Sequence, residues 1–428
     1  MVGLILLVVM LVLVALNVPI AFAMGLGSLA GLFYRGDLPI ALVAQRMVVM
    51  VDSFPLLAIP LFMLAGEIMS VGACSRKLIE FSMTLVGGIR GSLAHVTIIS
   101  SMFFAGITGS ASADTAAVGA IMIPAMIKKG YDPDFVTSIQ ASSGTIGPII
   151  PPSIPMVVLG YIAGISVGDL FLGGIIPGVL IGVSLMLVTF WYARRGDAYV
   201  ADRAPTFREF FRTALHALPA LGLPVIILGG IFAGVFTPTE AAVVAVFYGL
   251  VVELFIYREL SIHSLPGLLK RAAVVSSMVM FIVAISGIFS WILTVAEVPQ
   301  MFTEVLLSLS PNWVMRLVLI NILLLIAGML LDTTSILIIL IPILMPVVTA
   351  MGLNLVHFGV VVVVNLAIGM VTPPVGMGLY VACALSKRSV SSVLRPLFPQ
   401  ILAMVTVLAL ITFIPSIVTF VPNLLKGH

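Results

Sequence analysis

Charge is what this chain has least of. Only 9% of its 428 residues are Asp, Glu, Lys or Arg, and 61% are hydrophobic, whereas soluble globular domains carry about 25% charged residues. That excludes a soluble catalytic or ligand-capturing domain. Cysteine is nearly absent too. Cys74 and Cys383 stand far apart in apolar surroundings, so neither a disulfide framework nor a cysteine metal site is indicated. His95, His216, His263 and His357 show no ligand spacing. The net charge of +3 is too small to imply a nucleic-acid partner.

In place of charge there are long apolar runs, and the mean hydropathy is +1.29. At ~20 residues per crossing, the chain holds about ten to fourteen membrane segments and almost nothing outside them. Ala21-Phe22-Ala23 follows the first apolar stretch and faintly resembles a leader-processing site. No Lys or Arg precedes it and the apolar sequence continues to Tyr34. We therefore read a membrane helix interrupted at Pro19 rather than a cleaved leader. The 23 methionines suit adaptable packing and need no cofactor.

Glycine and double proline recur in a fixed pattern. Gly147 is followed by Pro151-Pro152, and 222 positions later Gly369 is followed by Pro373-Pro374. Each run interrupts an apolar stretch long enough to cross a bilayer. Such a break frees backbone groups, which hydrocarbon does not tolerate unless protein surrounds the break or it lines a cavity. Two breaks at matching positions point to a transporter site near the membrane midplane. Other pairs extend the match: Pro19 with Pro238 at an offset of 219, Asp114-Thr115 with Asp332-Thr333 at 218, and Pro124 to Gly130 with Pro346 to Gly352 at 222. This order implies a duplicated unit. The drift from 218 to 222 implies a four-residue insertion near Pro342.

Charge sets the orientation. Lys128-Lys129 follow the first hairpin-like stretch, and Lys387-Arg388 follow the second broken segment; the matching ends carry no Lys or Arg. Cytoplasmic loops concentrate Lys and Arg, so the two copies are expected to be inverted. The expected fold is an all-α polytopic membrane protein with two inverted-topology repeats, two re-entrant hairpins and two broken helices. The first repeat covers 1–193, an Arg-rich cytoplasmic connector 194–213, and the second repeat 214–428. In the first half the pattern predicts helices near 2–17, 20–34 and 55–73 and a hairpin near 92–127. A helix near 133–166, broken at 144–153, and one near 170–192 follow. The second half repeats the series, with a hairpin near 314–350. Hairpin arms of ~15 residues span ~22 Å, short of the ~30 Å hydrocarbon core. Both termini are expected on the periplasmic side.

The residues able to carry chemistry cluster at the hairpin tips and breaks. The first tip runs from Gly106 to Thr115 and holds Ser110, Ser112 and Asp114; the second, from Gly328 to Ser335, holds Asp332, Thr333 and Thr334. Opposite them, Gly144, Thr145, Gly147, Pro148 and Ser153 mark the first break, and Asn365 to Pro374, including Gly369, Thr372 and Pro373, the second. Hydroxyls and freed carbonyls there form an oxygen set for a hard monovalent cation. Half-helix N-termini aimed at one point favour an anion. The pattern fits sodium-coupled uptake of a carboxylate, with Na+ as coupling ion and no other cofactor. Asp114 and Asp332 are equally placed to be plain N-caps, and each hydroxyl to bond only its own helix. Glu240 reads as a helix-start carboxylate with a structural role. Glu67 is left open between a partner subunit and the interior. An intramembrane enzyme would need a Ser/His or paired-Asp constellation; Asp114 and Asp332 are the only matched pair, and each lacks a second titratable group nearby in sequence and sits in a Ser/Thr/Gly setting. Two re-entrant tips closing on one site suit occlusion better than an open channel.

Gly147-Pro148-Ile149-Ile150-Pro151-Pro152-Ser153-Ile154-Pro155, Gly234 to Ala242, Leu331-Asp332-Thr333, Thr372-Pro373-Pro374 and Phe54 to Met69 carry a family resemblance over essentially the whole chain. It resembles the large membrane subunit of TRAP transporters (tripartite ATP-independent periplasmic transporters, DctM type). The resemblance implies a sodium-driven importer of the bacterial inner membrane working by an elevator motion. It implies a small four-helix membrane partner, separate from this chain, and a soluble periplasmic binding protein delivering an organic acid. It places one sodium site at Ser110 and Ser112 with Gly144, Gly147 and Pro148, and another at Gly328 and Asp332 with Gly369, Thr372 and Pro373. The alternative is a stand-alone ion-coupled anion carrier. Sialic acids, C4-dicarboxylates and other sugar acids all remain open as cargo.

Overall fold

The computed structural model describes residues 1–36, 39–194, 205–309 and 312–426, all of it helix and connecting turns. In the first half, α1 (Val2–Ala15), α2 (Ile20–Arg35), α3 (Ala41–Val51), α4 (Ala58–Val71) and α5 (Ala73–Val86) precede a hairpin of α6 (Ser92–Thr108) and α7 (Ala111–Lys128). A helix in two pieces follows, α8 (Pro133–Gly144) and α9 (Ile154–Ala163), then α10 (Val167–Ala193). The second half runs α11 (Phe207–Phe232), α12 (Pro238–Val251), α13 (Leu265–Val295) and α14 (Val298–Leu309). Its hairpin is α15 (Trp313–Leu330) and α16 (Thr333–Ala350), its broken helix α17 (Leu355–Gly369) and α18 (Met377–Ser386), followed by α19 (Val390–Phe413) and α20 (Pro415–Lys426).

Helix caps show the duplication more plainly than the apolar runs do. Asp132 starts α8 and Asn354 starts α17, each accepting a backbone N–H of its own first turn at 3.1 and 3.0 Å. Ser166 and Ser389 start α10 and α19 in the same way. Ser110 occupies the N-cap of α7 and Asp332 that of α16, 222 positions apart. Ser, Asp and Asn are all favoured at this position; Asp332 caps its helix, while Ser110 Oγ faces Ser112 Oγ at 3.3 Å and makes no cap bond. The shared position corrects the sequence register. Asp332 corresponds to Ser110, not Asp114, and the place matching Asp114 holds Ile336. The offset is uniform from hairpin to break, so no four-residue insertion is needed near Pro342.

The two halves interlock. α18 packs on α7 and α8, while α9 packs on α16 and α17. Arg388, just past α18, pairs with Asp134 at the start of α8 through Nε–Oδ1 at 2.6 Å and Nη2–Oδ2 at 2.9 Å. Ser392 Oγ donates to the same carboxylate at 2.8 Å. The beginning of one broken helix thus meets the end of the other, and the two run antiparallel, as inversion demands. α8 and α9, with 12 and 10 residues, reach ~18 and ~15 Å. Each half-helix covers about half of a ~30 Å core, which puts the break near the middle.

Around this body stand α1 with α2, α3 with α13, and α4 with α12. Eight helices among the described residues are long and apolar enough to cross a membrane. Their outward faces carry large apolar side chains such as Leu11, Val225 and Phe247, suited to lipid. Four short helices escaped the sequence reading: α3, α5, α14 and α20. α5 holds Arg76, Lys77 and Glu80, so it reads as a loop when only crossings are sought. α11 begins at Phe207, inside the stretch read as connector, because Thr206 and Glu209 form a capping box. The rest of that connector, 195–204, lies outside the described residues.

The antiparallel arrangement has a direct check. In a chain with Cys74 and Cys383 replaced by Ser, single cysteines at Asp134 and Arg388 should react with an impermeant thiol reagent from the same membrane side. Together they should be joined by a short bifunctional reagent. Labelling from opposite sides would refute the inverted fold.

Candidate functional site

Each tip is fastened to the break of its own half by the backbone groups that the break frees. Ile154 N–H donates to Gly109 C=O at 3.3 Å. In the second half, Val375 and Gly376 N–H donate to Met329 C=O at 3.2 and 3.3 Å. α15 and α16 are each long enough to cross, yet this contact stops the hairpin at the level of the break, and the pair re-enters. Backbone polar groups in lipid must find protein partners, and tip and break supply them to each other.

The fit is close enough to require glycine. A Cβ at Gly369 would stand 2.6 Å from the Gly328 backbone, and one at Gly147 would stand 2.8 Å from Ser110 C=O and 2.7 Å from Asp114 Oδ2. A methyl group at Gly144 would run into Thr115 Oγ1. Helix-to-helix contact of this kind depends on absent side chains.

The two tips face each other across a cavity of about 160 Å³. Of the sequence-predicted residues, Ser110, Ser112, Pro148, Asp332, Thr333 and Thr334 line it. So do the opening turns of four helices: Ala111 and Ser112 of α7, Ile154 and Pro155 of α9, Thr333 and Thr334 of α16, and Met377 of α18. Four helix N-termini therefore converge on one space, each contributing partial positive charge. The lining contains no Lys, Arg or His. Met63 of α4 with Val275 and Val279 of α13 close the cavity from outside the hairpin body. A second space, of about 290 Å³, shares Met63, Ser110, Ser112, Ile154 and Val275 with the first and continues to Glu67 and Ser70. There Glu67 pairs with Arg271, Nε to Oε2 at 3.0 Å.

The two aspartates differ. Asp332 is a cap: its carboxylate accepts Ser335 N–H at 3.0 Å and also the Ser335 hydroxyl. Asp114 lies one turn inside α7 and is fully buried. Thr108 Oγ1 donates to its Oδ1, and Oδ2 has no hydrogen-bond partner among the described residues. Thr115 Oγ1, and Gln140 Oε1 and Ser142 Oγ of α8, are likewise buried and unpartnered among the described residues. Ser142 opens the polar stretch read as part of the first break, whereas Gln140 sits just earlier on α8, where an ordinary helical pattern gave no signal. Several of the predicted residues also bond locally. Thr145 Oγ1 donates to Ser142 C=O at 2.7 Å and Thr372 Oγ1 to Ile368 C=O at 2.8 Å. Ser153 Oγ donates to Pro148 C=O at 2.5 Å while capping α9. Pro373 is half-buried beside the second break. Glu240 forms a capping box with Thr237, the structural role expected of it. Among the described residues no three of His, Cys, Asp and Glu come together.

Inverted hairpins and broken helices closing on one mid-membrane cavity define the architecture of a membrane transporter. The solved structure of the Alcanivorax borkumensis YdaH transporter shares the fold, with a TM-score of 0.62 over 90% of this chain and 88% of that one, at 14% identity. The model of the tripartite ATP-independent periplasmic transporter DctM component matches residues 7–417. The chain belongs to that family, as a large permease of the TRAP type. It is 42% identical over 404 residues to the isethionate TRAP transporter permease protein DctMQ of Oleidesulfovibrio alaskensis, covering 94% of this chain and 64% of that longer protein. It is 40% identical over 405 residues to the 2,3-diketo-L-gulonate TRAP transporter large permease protein YiaN of Escherichia coli, over 95% of each.

The glycine contacts predict their own sensitivity. Gly369→Ala overpacks the tip–break contact and should cost about 1–3 kcal/mol, seen as a lower unfolding temperature of the detergent-solubilised protein. Gly229→Ala in α11, where an added Cβ meets nothing within 4 Å, is the control and should not lower it, since Ala suits a helix interior better than Gly.

Proposed function

We propose that this chain is the membrane-crossing large subunit of a sodium-coupled importer that accepts an organic acid from a periplasmic binding protein. The observation that carries the reading is the convergence of four helix N-termini on one cavity without a cationic side chain, beside a buried carboxylate with an unpartnered oxygen. The dipoles hold an anion without the strong charge of an arginine. That makes release easier and suits a shuttling site.

Sodium supplies the countercharge. A buried carboxylate without a cationic partner is costly, and an intramembrane one is a functional candidate by default. A monovalent cation beside Asp114 Oδ2 would relieve it, taking further oxygens from the first break around Ser110, Gly144, Gly147 and Pro148. At ~4 Å and an effective dielectric constant of ~20, that attraction amounts to about 4 kcal/mol before desolvation. A second ion fits the equivalent ring of Gly328, Asp332, Gly369, Thr372 and Pro373. There Asp332 acts by holding the tip through Ser335. Cation binding tightens each tip on its break, completes the wall of the substrate cavity and so couples ion to cargo.

The hairpins and broken helices form one interlocked body, and α4 and α13 present Met63, Val275 and Val279 to it. An apolar face of that kind offers little polar pairing to break when the body slides, which favours an elevator movement. The larger space toward Glu67 and Arg271 is then the release side. With Lys128, Lys129, Lys387 and Arg388 gathered on one face, that face is cytoplasmic by the positive-inside rule, and both termini fall in the periplasm of an inner membrane. A small four-helix membrane subunit completes the assembly. Relatives named for isethionate and 2,3-diketo-L-gulonate favour an organic anion as cargo.

Reconstitution in proteoliposomes with the small subunit and the binding protein tests this. An inward sodium gradient should drive uptake of one member of a panel of acids. Asp114→Asn should raise the sodium concentration for half-maximal uptake at least tenfold or abolish uptake, with the protein still folded. Asp332→Ala and Thr372→Ala should each lose sodium-driven uptake. Sodium dependence unchanged in all three would remove the sites from the mechanism. Uptake that needs no binding protein would favour the stand-alone carrier.

A further inference from the structure

We infer that Glu253 is the positioning residue of the transport movement: it anchors α5, the helix that links scaffold to first hairpin, and fixes the point about which α5 turns. This rests on the elevator reading above.

Glu253 sits in a short π-helical stretch, Val252–Ile256, that ends α12. Such bulges are rare and recur at functional positions. The residue is fully buried. Its two carboxylate oxygens accept the first N–H groups of α5, from Ala73 to Oε2 and from Cys74 to Oε1, both at 3.0 Å. These residues are 180 and 179 positions away in sequence, so a helix of the second half caps a helix of the first. The main-chain carbonyl of Glu253 is held as well, accepting Glu259 and Leu260 N–H at 3.2 and 3.4 Å. Glu259 in turn pairs with Arg76 of α5 at the exposed rim.

A desolvated carboxylate is normally matched to a cation. Here two charge-assisted hydrogen bonds and the positive end of α5 serve instead. α12 therefore holds α5 through its first turn, while the remainder of α5 lies along α11. The joint beside it is Gly72, extended between α4 and α5 (φ −88°, ψ −157°). A Cβ there would collide with the Glu253 carboxylate, so the anchor occupies the space that a side chain would fill. From this point α5 runs along α11 to α6, the first arm of the hairpin bearing Ser110 and Asp114. If that hairpin moves relative to α4 and α12, α5 must swing, and its N-terminus is the end that stays.

The test is Glu253→Gln in the full reconstituted assembly. The amide keeps the shape but turns one acceptor into a donor facing an N–H. Expected is at least a fivefold lower uptake rate per folded transporter, with KM for the acid and half-saturating sodium both within twofold of the parent. Cysteines at Ala272 in α13 and Val381 in α18, both lining the larger space, report the position of the moving body through their yield of bifunctional crosslink. That yield should change in Glu253→Gln without substrate. A parent-like rate and crosslink yield overturn the inference, as does a rate loss explained entirely by altered KM or sodium affinity. If Glu253→Gln does not accumulate as folded protein, Glu253→Asp is read by the same criteria, since it keeps the charge but withdraws it by one methylene. Should the parent itself show no sodium-driven uptake, the transport reading falls first; a working parent with an indifferent Glu253→Gln sinks only the anchor.

Discussion

Hydrocarbon does not forgive an unpaired peptide group, and this fold is arranged around two places where helices stop pairing. Gly109 C=O takes the N–H of Ile154 and Met329 C=O takes those of Val375 and Gly376, so each hairpin tip exists to complete a break and each break to hold a tip. Once that is so, the helix ends must point inward. The N-termini of α7, α9, α16 and α18 meet at one cavity because α7 and α16 begin at the hairpin tips and α9 and α18 at the breaks that hold those tips. The anion-favouring field of the site is thus a by-product of solving a backbone problem. No arginine has to be buried to make it.

The halves are copies in backbone and differ in chemistry. At the N-cap of the hairpin's second arm, Ser110 in one half stands where Asp332 stands in the other. One turn further, Asp114 stands opposite Ile336 in register. Only the first half therefore carries a fully buried carboxylate against its break, and its break is the more enclosed, from Gly144 to Ile149. The second break is partly open at Pro373 to Val375. Each half thus carries one carboxylate at its tip but in a different place, Asp114 with an oxygen left unpaired and Asp332 engaged as a cap. In the same way, Glu253 gives the first half's link helix an anchor drawn from the second half.

Much of this was legible because the bilayer narrows the choices. A chain with so little charge must cross the membrane, and breaks at Gly147–Pro152 and Gly369–Pro374 in apolar sequence must be enclosed. Ser110, Ser112, Pro148, Asp332, Thr333 and Thr334 followed as cavity-lining residues. The register error at Asp114 arose because identical residues look like equivalent ones, whereas capping selects for an oxygen at a position and accepts Ser or Asp alike. α3, α5, α14 and α20 were illegible because, at 11 to 14 residues, they are too short to register as crossings.

The sequence alone determined a membrane-embedded helical protein, duplicated and inverted, with polar tips and breaks near mid-depth, since composition, lysine and arginine placement and proline positions act locally. The tertiary structure decided which hydrogen bonds the polar side chains already make. Thr145, Thr372 and Ser153 bond their own segments, Asp332 caps its helix, and Asp114 keeps an oxygen free. It also decided that Glu67 meets Arg271 and that Glu253 meets the start of α5. These partners lie some 180 to 200 positions apart, and a carboxylate's fate depends on what the fold brings within 3 Å of it, which no local pattern encodes.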